Sequence, residues 1–356
     1  VLVGLGLYAL GAFMFYPAKM TGEYYPFLIA YFILTCGLSF LETSSNPYIL
    51  SMGTEETATR RLNLAQSFNP MGSLLGMYVA MNFIQAKLNP LDTASRADLT
   101  PAEFEAVKEY DLSVLIGPYL AIGLVILAMF VLILFWRMPK NGDKNHNIDF
   151  VPTLRRIFAM PHYREGVIAQ FFYVGVQIMC WTFIIQYGTR VLMADGMAEQ
   201  AAEVASQQYN ILAMIIFCCS RFICTFLLRY VNTGRLLTVL AIVGGLLVVG
   251  VIGLQNIYGL YCLVGVSACM SLMFPTIYGI ALTGLGDDAK FGAAGLIMAI
   301  LGGSVLPPFQ AAIIDQVELL GMPAVNVSFI LPFVCFVVIA IYGHRTFLRS
   351  KGQLGG

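Results

Sequence analysis

One carboxylate stands inside a strongly apolar part of the chain. Glu42 lies in FLETSSNPYIL, residues 40–50. A charge at the centre of a membrane costs roughly 2.5–3.5 kcal/mol on insertion scales, so such a residue normally faces a cavity or a partner. Because burial favours the neutral form of a carboxyl group, Glu42 is suited to bind and release a proton. The competing interpretation is a protonated glutamate that is hydrogen-bonded between helices.

Pro47 follows Glu42 in the same stretch and affects the backbone around it. Proline has no N–H, so the carbonyl of Thr43 loses its helical partner. The polar side chains of residues 44–46 can replace that hydrogen bond. Asn46 lies one helical turn after Glu42, which places the two on one face. We expect a helix that is broken at Pro47, with polar side chains beside the break.

The next apolar stretch carries carboxamides at helical spacing. Asn63, Gln66, Asn69 and Ser73 follow one another at intervals of three or four residues, so they share a helix face. Carboxamides both donate and accept hydrogen bonds, which suits the hydroxyls of a sugar. We predict that Gln66 and Asn69 line a cavity, while Asn63 can bond locally. Hydrogen bonding between helices is the alternative.

A second polar stripe occurs later in the chain. Gln170, Tyr173, Gln177 and Trp181 again follow at intervals of three or four residues. An indole can stack on the C–H face of a sugar while amide groups bind its hydroxyls. We predict that Tyr173, Gln177 and Trp181 contact substrate; packing or interfacial anchoring is the competing interpretation for Trp181.

Two residues in later apolar stretches complete the candidates. Arg221, in FCCSRFICTF, is the only basic residue that lies well inside a predicted span, away from its ends. A salt bridge with Glu42 is geometrically possible, and we expect a structural or gating role rather than contact with substrate. Phe274 shares a helix face with Ser267, Ser271 and Tyr278, a pattern that ordinary packing could also produce.

The chain that carries these groups has the composition of an integral membrane protein. Its 356 residues are 58% hydrophobic and only 11% charged, whereas soluble proteins carry about 25% charged residues. The formal net charge is zero, which implies no bulk attraction to nucleic acid. The eight cysteines form no CxxC motif, so we predict neither a metal site nor a cofactor. The chain also has no HExxH motif or nucleophile–base pair, so we expect no enzyme.

Ten apolar stretches have about the 20 residues needed to cross a bilayer. They are 1–18, 25–50, 63–86, 112–136, 164–188, 207–230, 235–256, 258–284, 290–314 and 323–343. The sequence therefore predicts an all-α integral membrane protein. The basic, Pro-containing stretch 137–163 is interpreted as a linker between an N-terminal half, 1–136, and a C-terminal half, 164–356. Six spans follow the linker and four precede it, so equal halves would place two further helices before Val1.

Basic residues predict the orientation of the spans. Most of the twenty Lys and Arg residues fall in alternate connections, beginning with Arg60 and Arg61, and connections of this kind are cytoplasmic. The C-terminus, preceded by Arg345 and Arg349, then faces the cytoplasm. The acidic stretch 87–111 becomes an external loop.

Several motifs resemble one transporter family. FLETSSNPYI, RLNLAQSFN, AQFFYVGVQIMCWTFIIQY, FPTIYGIAL and GDDAKFGAAGLIMAILGGSVLPP occur in the order found in the L-fucose–proton symporters, a branch of the major facilitator superfamily. The resemblance covers essentially the whole chain. It implies twelve helices in two halves with alternating access, of which ten are present here. It also implies a monomer in the bacterial inner membrane.

The resemblance assigns roles to individual residues. Glu42 matches a membrane glutamate tied to proton and sugar handling, Gln66 and Asn69 match polar cavity residues, and Gln177 and Trp181 match residues facing the sugar path. These are assignments by resemblance.

Two positions depart from the family pattern. An essential aspartate of the family's first helix has no counterpart in this sequence, so coupled transport is expected only if that helix belongs to the natural protein. Phe274 stands where a family member has tyrosine.

The expected function is proton-coupled import of L-fucose or a related sugar, with the proton as coupling ion. A glucose/galactose–proton symporter and a non-transporting sugar sensor are the alternatives.

Overall fold

The computed structural model describes residues 1–85, 87–89, 96, 99–136, 150–316, 318–319 and 321–352. Nearly all of them are helical, as a lipid environment requires of backbone groups that must be satisfied internally. In chain order the helices are α1 (Leu2–Thr21), α2 (Tyr24–Ser51), α3 (Glu55–Gln66), α4 (Phe68–Val79), α5 (Pro101–Phe135), α6 (Phe150–Ala159), α7 (Pro161–Ala194), α8 (Glu199–Leu227), α9 (Thr233–Gly253), α10 (Ile257–Met270), α11 (Met273–Leu282), α12 (Ala289–Met298), α13 (Gly302–Ile314), α14 (Ala324–Ser328) and α15 (Ile330–Ser350).

A few short elements connect these helices. A π-helical turn, Ala80–Gln85, follows α4, and two 3-10 turns, Gly286–Asp288 and Ala299–Leu301, flank α12. Strands β1 (Glu318–Leu319) and β2 (Met322–Pro323) form an antiparallel hairpin. The second part of the predicted linker forms α6, while residues 137–149 lie outside the described residues.

Within the described residues, nine helical stretches are long and apolar enough to cross a membrane. They correspond to nine of the ten predicted spans, and the all-α membrane fold is confirmed. The remaining stretch, 63–86, is divided among α3, α4 and the π-helical turn, so no single piece is long enough to count. Pro70 lies in this stretch and removes one backbone N–H, which favours an interruption.

Pro47 does not break α2, which continues to Ser51. The hydroxyls of Ser39, Thr43 and Ser44 donate to the carbonyls four residues earlier, at 3.1, 2.6 and 2.7 Å. These side chains are therefore satisfied by the helix that carries them. The prediction of a broken helix at Pro47 is wrong, because a single missing N–H leaves the neighbouring helical bonds in place.

The contacts divide the chain into two compact units. The first unit comprises Val1–Ser45 and Gly72–Gly142. In it, α1 packs along α5, and Phe15 stacks on Tyr119 with 4.0 Å between ring centroids. Buried Ala30 and Ile116 complete this small core.

The second unit comprises Asn46–Met71 and Asp143–Gly356. Helix α7 lies at its centre and packs against α8, α11, α13 and α15. Its apolar core includes fully buried Tyr173, Tyr187 and Phe329.

The two units do not coincide with the halves drawn from sequence, because α3 packs with the C-terminal helices. Leu62 of α3 is 1% exposed and shares a core cluster with Tyr278 of α11. Gly279 permits the close approach, since a Cβ at that position would lie 2.9 Å from the Thr59 Oγ1 atom.

Candidate functional site

Two predicted carboxamides meet where the end of α2 lies beside the end of α3. Gln66 Nε2 donates a hydrogen bond to Asn46 Oδ1 at 2.9 Å. Asn46 is buried, at 3% exposure, whereas Gln66 is half-buried. We call these two residues the amide pair. The hydrogen bond between them leaves the second N–H and the side-chain oxygen of Gln66 for a ligand.

Asn63, one turn earlier in α3, has a different role. Its Nδ2 donates to the carbonyl of Thr59 at 2.9 Å and to Thr276 Oγ1 of α11 at 3.2 Å. The local bond expected from sequence is present, and a second bond joins α3 to α11. Asn63 is fully buried, so it contributes to packing between these helices.

Aromatic side chains of α7, α8 and α11 form the other part of the site. The half-buried Trp181 donates its indole N–H to Ser267 Oγ at 3.3 Å. Its ring and that of Phe217 form a T-shaped pair with 4.9 Å between centroids. Phe274 is also half-buried, and its ring centroid lies 6.2 Å from that of Tyr173. We call Trp181, Phe217 and Phe274 the aromatic wall.

Tyr173 differs from the other members of its stripe. Its side chain is fully buried and its hydroxyl donates to the carbonyl of Met270 at 3.1 Å. Gln177, one turn before Trp181 on α7, is half-buried, and Asn69 on α4 is exposed. The structure therefore supports Tyr173 as a packing residue behind Phe274, whereas Gln177 and Asn69 present amide groups at the surface of their helices.

Arg221 connects the amide pair to the aromatic wall. It is 4% exposed and donates through Nε to the carbonyl of Ser271 at 2.6 Å and through Nη1 to the carbonyl of Gln66 at 2.9 Å. Its guanidinium carbon lies 4.7 Å from the centroid of the Phe217 ring. Among the described residues, this cation donates its hydrogen bonds to backbone carbonyls rather than to a carboxylate.

Sequence reasoning missed one residue of this arrangement, Phe217, and the partner of another, Ser267. Phe217 lies four residues before Arg221 in α8, and an aromatic side chain at that spacing from a buried cation is a signal for a ring contact. Ser267 stands on the helix face that also carries Ser271 and Phe274, but its indole partner could be found only in three dimensions.

Glu42 belongs to the first unit. It is half-buried on α2, one turn before Asn46. Its Oε2 atom is shielded from solvent and has no hydrogen-bond partner among the described residues. A buried carboxylate oxygen without a partner is costly when charged, and this environment suits a group that takes up a proton.

The site combines functional groups that recognise polyols. Carboxamides supply donors and acceptors, and aromatic faces cover apolar C–H surface. In the described part of the chain, no group of three or more His, Cys, Asp or Glu residues could hold a metal ion.

Comparison with known proteins assigns the chain to a family. The family model of the Major Facilitator Superfamily matches residues 1–307. The L-fucose-proton symporter of Haemophilus influenzae is 49% identical over 359 residues, covering 99% of this chain and 82% of that protein. A glucose/galactose transporter of Brucella abortus is 29% identical over 345 residues, covering 96% of this chain and 77% of that protein.

A solved structure has the same fold. The crystal structure of the Escherichia coli fucose:proton symporter superposes with a TM-score of 0.88 at 29% sequence identity, covering 97% of this chain and 82% of that one. These relatives are transporters, in accord with the prediction that the chain is not an enzyme. The chain therefore belongs to the Major Facilitator Superfamily, within the family that contains the L-fucose–proton symporters.

Proposed function

We propose that this protein imports L-fucose or a closely related sugar together with a proton, by alternating access. The observation that carries the proposal is the arrangement of the amide pair beside the aromatic wall in the second unit. Through Arg221 it joins residues that lie on four separate predicted stretches, namely Asn46, Gln66, Trp181 and Phe217. The 49% identity to a protein named as an L-fucose-proton symporter supports the same substrate class.

The sugar is bound by side chains of two kinds. Gln66, Asn69 and Gln177 contact hydroxyls, with Asn46 holding the Gln66 amide. Trp181 and Phe274 cover the apolar face of the ring, and Tyr173 supports Phe274 from behind. Because hydrogen bonds to hydroxyls reject analogues that lack them more strongly than apolar contacts do, the amides should set most of the specificity.

Glu42 carries the proton in this proposal. Its shielded Oε2, which has no hydrogen-bond partner among the residues that the structure describes, disfavours the charged form, so protonation from the outer side prepares the site for sugar. The protein alternates between states open to opposite sides, and release of sugar and proton inside completes the cycle. Pro47 and Arg221 have structural or gating roles. We further propose a monomer in the bacterial inner membrane with a cytoplasmic C-terminus.

Transport by the purified natural protein in proteoliposomes tests this function. An inside-alkaline pH gradient should drive accumulation of labelled L-fucose, and Glu42→Gln should abolish the response to the gradient. Glu105→Gln is the matched control, since the Glu105 side chain is 65% exposed. Uptake that does not change with the pH gradient, together with full activity of Glu42→Gln, would rule out proton coupling through Glu42.

Competition identifies the sugar and separates the alternatives. Unlabelled L-fucose should displace the label better than D-glucose, D-galactose or D-arabinose. Stronger competition by D-glucose and D-galactose would favour the glucose/galactose symporter, a function named for relatives of lower identity. Binding of sugar without net flux would favour a sensor.

A further inference from the structure

The two carbonyls that accept hydrogen bonds from Arg221 share one property. Gln66 stands four residues before Pro70, and Ser271 stands four residues before Pro275. In an uninterrupted helix, each carbonyl would accept a bond from the N–H of the residue four positions later. Proline has no N–H, so both carbonyls lose the partner that the helix would supply.

The backbone at both positions keeps helical torsions. Ser67, just after Gln66, has φ −67° and ψ −19°, and Ser271 has φ −55° and ψ −37°. Both residues thus have helical torsions, although α3 ends at Gln66 and α10 ends at Met270. What is missing at each interruption is chiefly one hydrogen-bond donor, the backbone N–H that proline lacks.

Arg221 is chemically suited to replace both donors at once. A guanidinium is always charged and presents several N–H groups in a fixed plane. The negative ends of two helix dipoles, at the C-termini of α3 and α10, stabilise its charge. The Phe217 ring, 4.7 Å away, adds a cation–π contact. These partners explain how a basic residue that is 4% exposed is accommodated in a membrane span, where an isolated charge is costly.

We propose that Arg221 is a positioning residue of the sugar site, which replaces the two amide protons that Pro70 and Pro275 lack. The bond to the Gln66 carbonyl fixes the residue whose amide reaches Asn46. The contact with Phe217 fixes the ring against which Trp181 packs. Arg221 thus holds the amide pair and the aromatic wall in one arrangement without touching the sugar. The identity of the ligand in this inference rests on the proposed function. The hydrogen bonds of Arg221 are taken from the geometry alone.

A compensating substitution tests the inference. Arg221→Met should weaken the binding of labelled L-fucose by the purified natural protein about tenfold, the loss expected when a charged hydrogen bond is removed. Pro70→Ala restores an N–H four residues after Gln66, so adding it to Arg221→Met should recover roughly threefold of the affinity. Pro118→Ala is the matched control: Pro118 also lies inside a helix, α5, but the carbonyl four residues before it belongs to Val114, which is not bonded to Arg221.

The outcomes separate this role from others. Rescue by Pro70→Ala and not by Pro118→Ala supports the inference. Unchanged affinity in Arg221→Met, no rescue, or equal rescue by both alanines would overturn it, because a counter-charge or a packing residue gains nothing from a restored backbone N–H. If Arg221→Met does not fold, Arg221→Lys supplies the same comparison, since lysine keeps the charge but lacks the planar set of donors.

Thermal unfolding in detergent gives a readout that does not depend on the sugar. The melting temperature should follow the same pattern across the four proteins: unsubstituted, Arg221→Met, and that variant with either alanine. If the unsubstituted protein binds no L-fucose, the proposed function fails, while the melting pattern still decides whether Arg221 replaces the missing N–H groups. If sugar binds but the melting temperature shows no selective rescue by Pro70→Ala, the inference alone fails.

Discussion

The aromatic residues of the second unit differ in what they can offer a ligand. The Tyr173 hydroxyl is bonded to the Met270 carbonyl and the Trp181 N–H is bonded to Ser267. Only Trp181 of these two has exposed ring surface, since it is half-buried and Tyr173 is fully buried. In the proposed site, Trp181 therefore contributes the face of its ring rather than a hydrogen bond.

This distinction leads to a prediction for Trp181. Trp181→Ala removes the ring and should weaken L-fucose binding by about three- to tenfold, the range expected for an aromatic contact. Trp181→Phe keeps an aromatic face and should have a smaller effect. Equilibrium binding to purified protein measures both.

The other tryptophan provides the control. Trp136 lies at the end of α5 and is 68% exposed, so Trp136→Phe should leave binding unchanged. Wild-type affinity in Trp181→Ala would show that the indole does not contact sugar. A loss in Trp181→Phe as large as in Trp181→Ala would instead assign the role to the N–H group.

At the scale of elements, the apolar pattern predicted most helices but missed the start of α3. This helix begins at Glu55 and carries Arg60 and Arg61 near its middle, so hydropathy places the apolar span only from residue 63. Helical spacing did identify the polar faces that contain Gln66 and Trp181. The spacing could not show which faces meet, because partners such as Arg221 and the Gln66 carbonyl are 155 residues apart in sequence.

The missing N–H of proline explains both a success and a failure of sequence reasoning. Any proline inside a helix identifies, four residues earlier, a carbonyl without its usual donor. For Pro47 that rule suggested a break that α2 does not show. For Pro70 and Pro275 the same rule identifies the two carbonyls that Arg221 binds. The sequence thus indicates where a donor is needed, whereas the identity of the donor depends on tertiary packing.

The packing of α3 on α11 gives a prediction at this scale. Gly279→Ala places a methyl group 2.9 Å from Thr59 Oγ1 and 3.2 Å from Thr59 Cγ2, closer than such atoms normally approach. Overpacking of this kind costs about 1–3 kcal/mol, so the variant should unfold at a lower temperature than the unsubstituted protein in detergent.

A second substitution distinguishes this contact from a general effect of alanine. Thr59→Ala removes both of the nearest atoms, so Thr59→Ala with Gly279→Ala should regain much of the lost stability. Gly284→Ala is not a suitable comparison because φ there is positive; Gly265, whose nearest neighbour would lie 3.4 Å away, is the matched control. Equal losses in Gly279→Ala and Gly265→Ala would contradict the close packing of α3 on α11.

At the scale of the whole molecule, basic residues concentrate in the connections expected to be cytoplasmic. Several are paired within the second unit: Arg156 binds Asp288 through two hydrogen bonds of 2.7 Å. Arg345 and Arg349 both reach Glu165, at 2.9 and 3.0 Å. The neighbouring Asp288 carboxylate raises the pKa of Arg156 through its hydrogen bonds and its charge.

The proposed orientation rests on this distribution of charge and gives the last prediction. Positively charged connections are retained on the cytoplasmic side, so we expect Lys351, after α15, to lie inside the cell and Asp195, after α7, outside. Both positions are exposed.

In intact cells, a membrane-impermeant maleimide should label Asp195→Cys and should label Lys351→Cys only after permeabilisation. The unsubstituted protein measures labelling of its own cysteines, which include the exposed Cys219. Labelling of Lys351→Cys in intact cells, with protection of Asp195→Cys, would reverse the orientation and with it the direction in which Glu42 is expected to take up its proton.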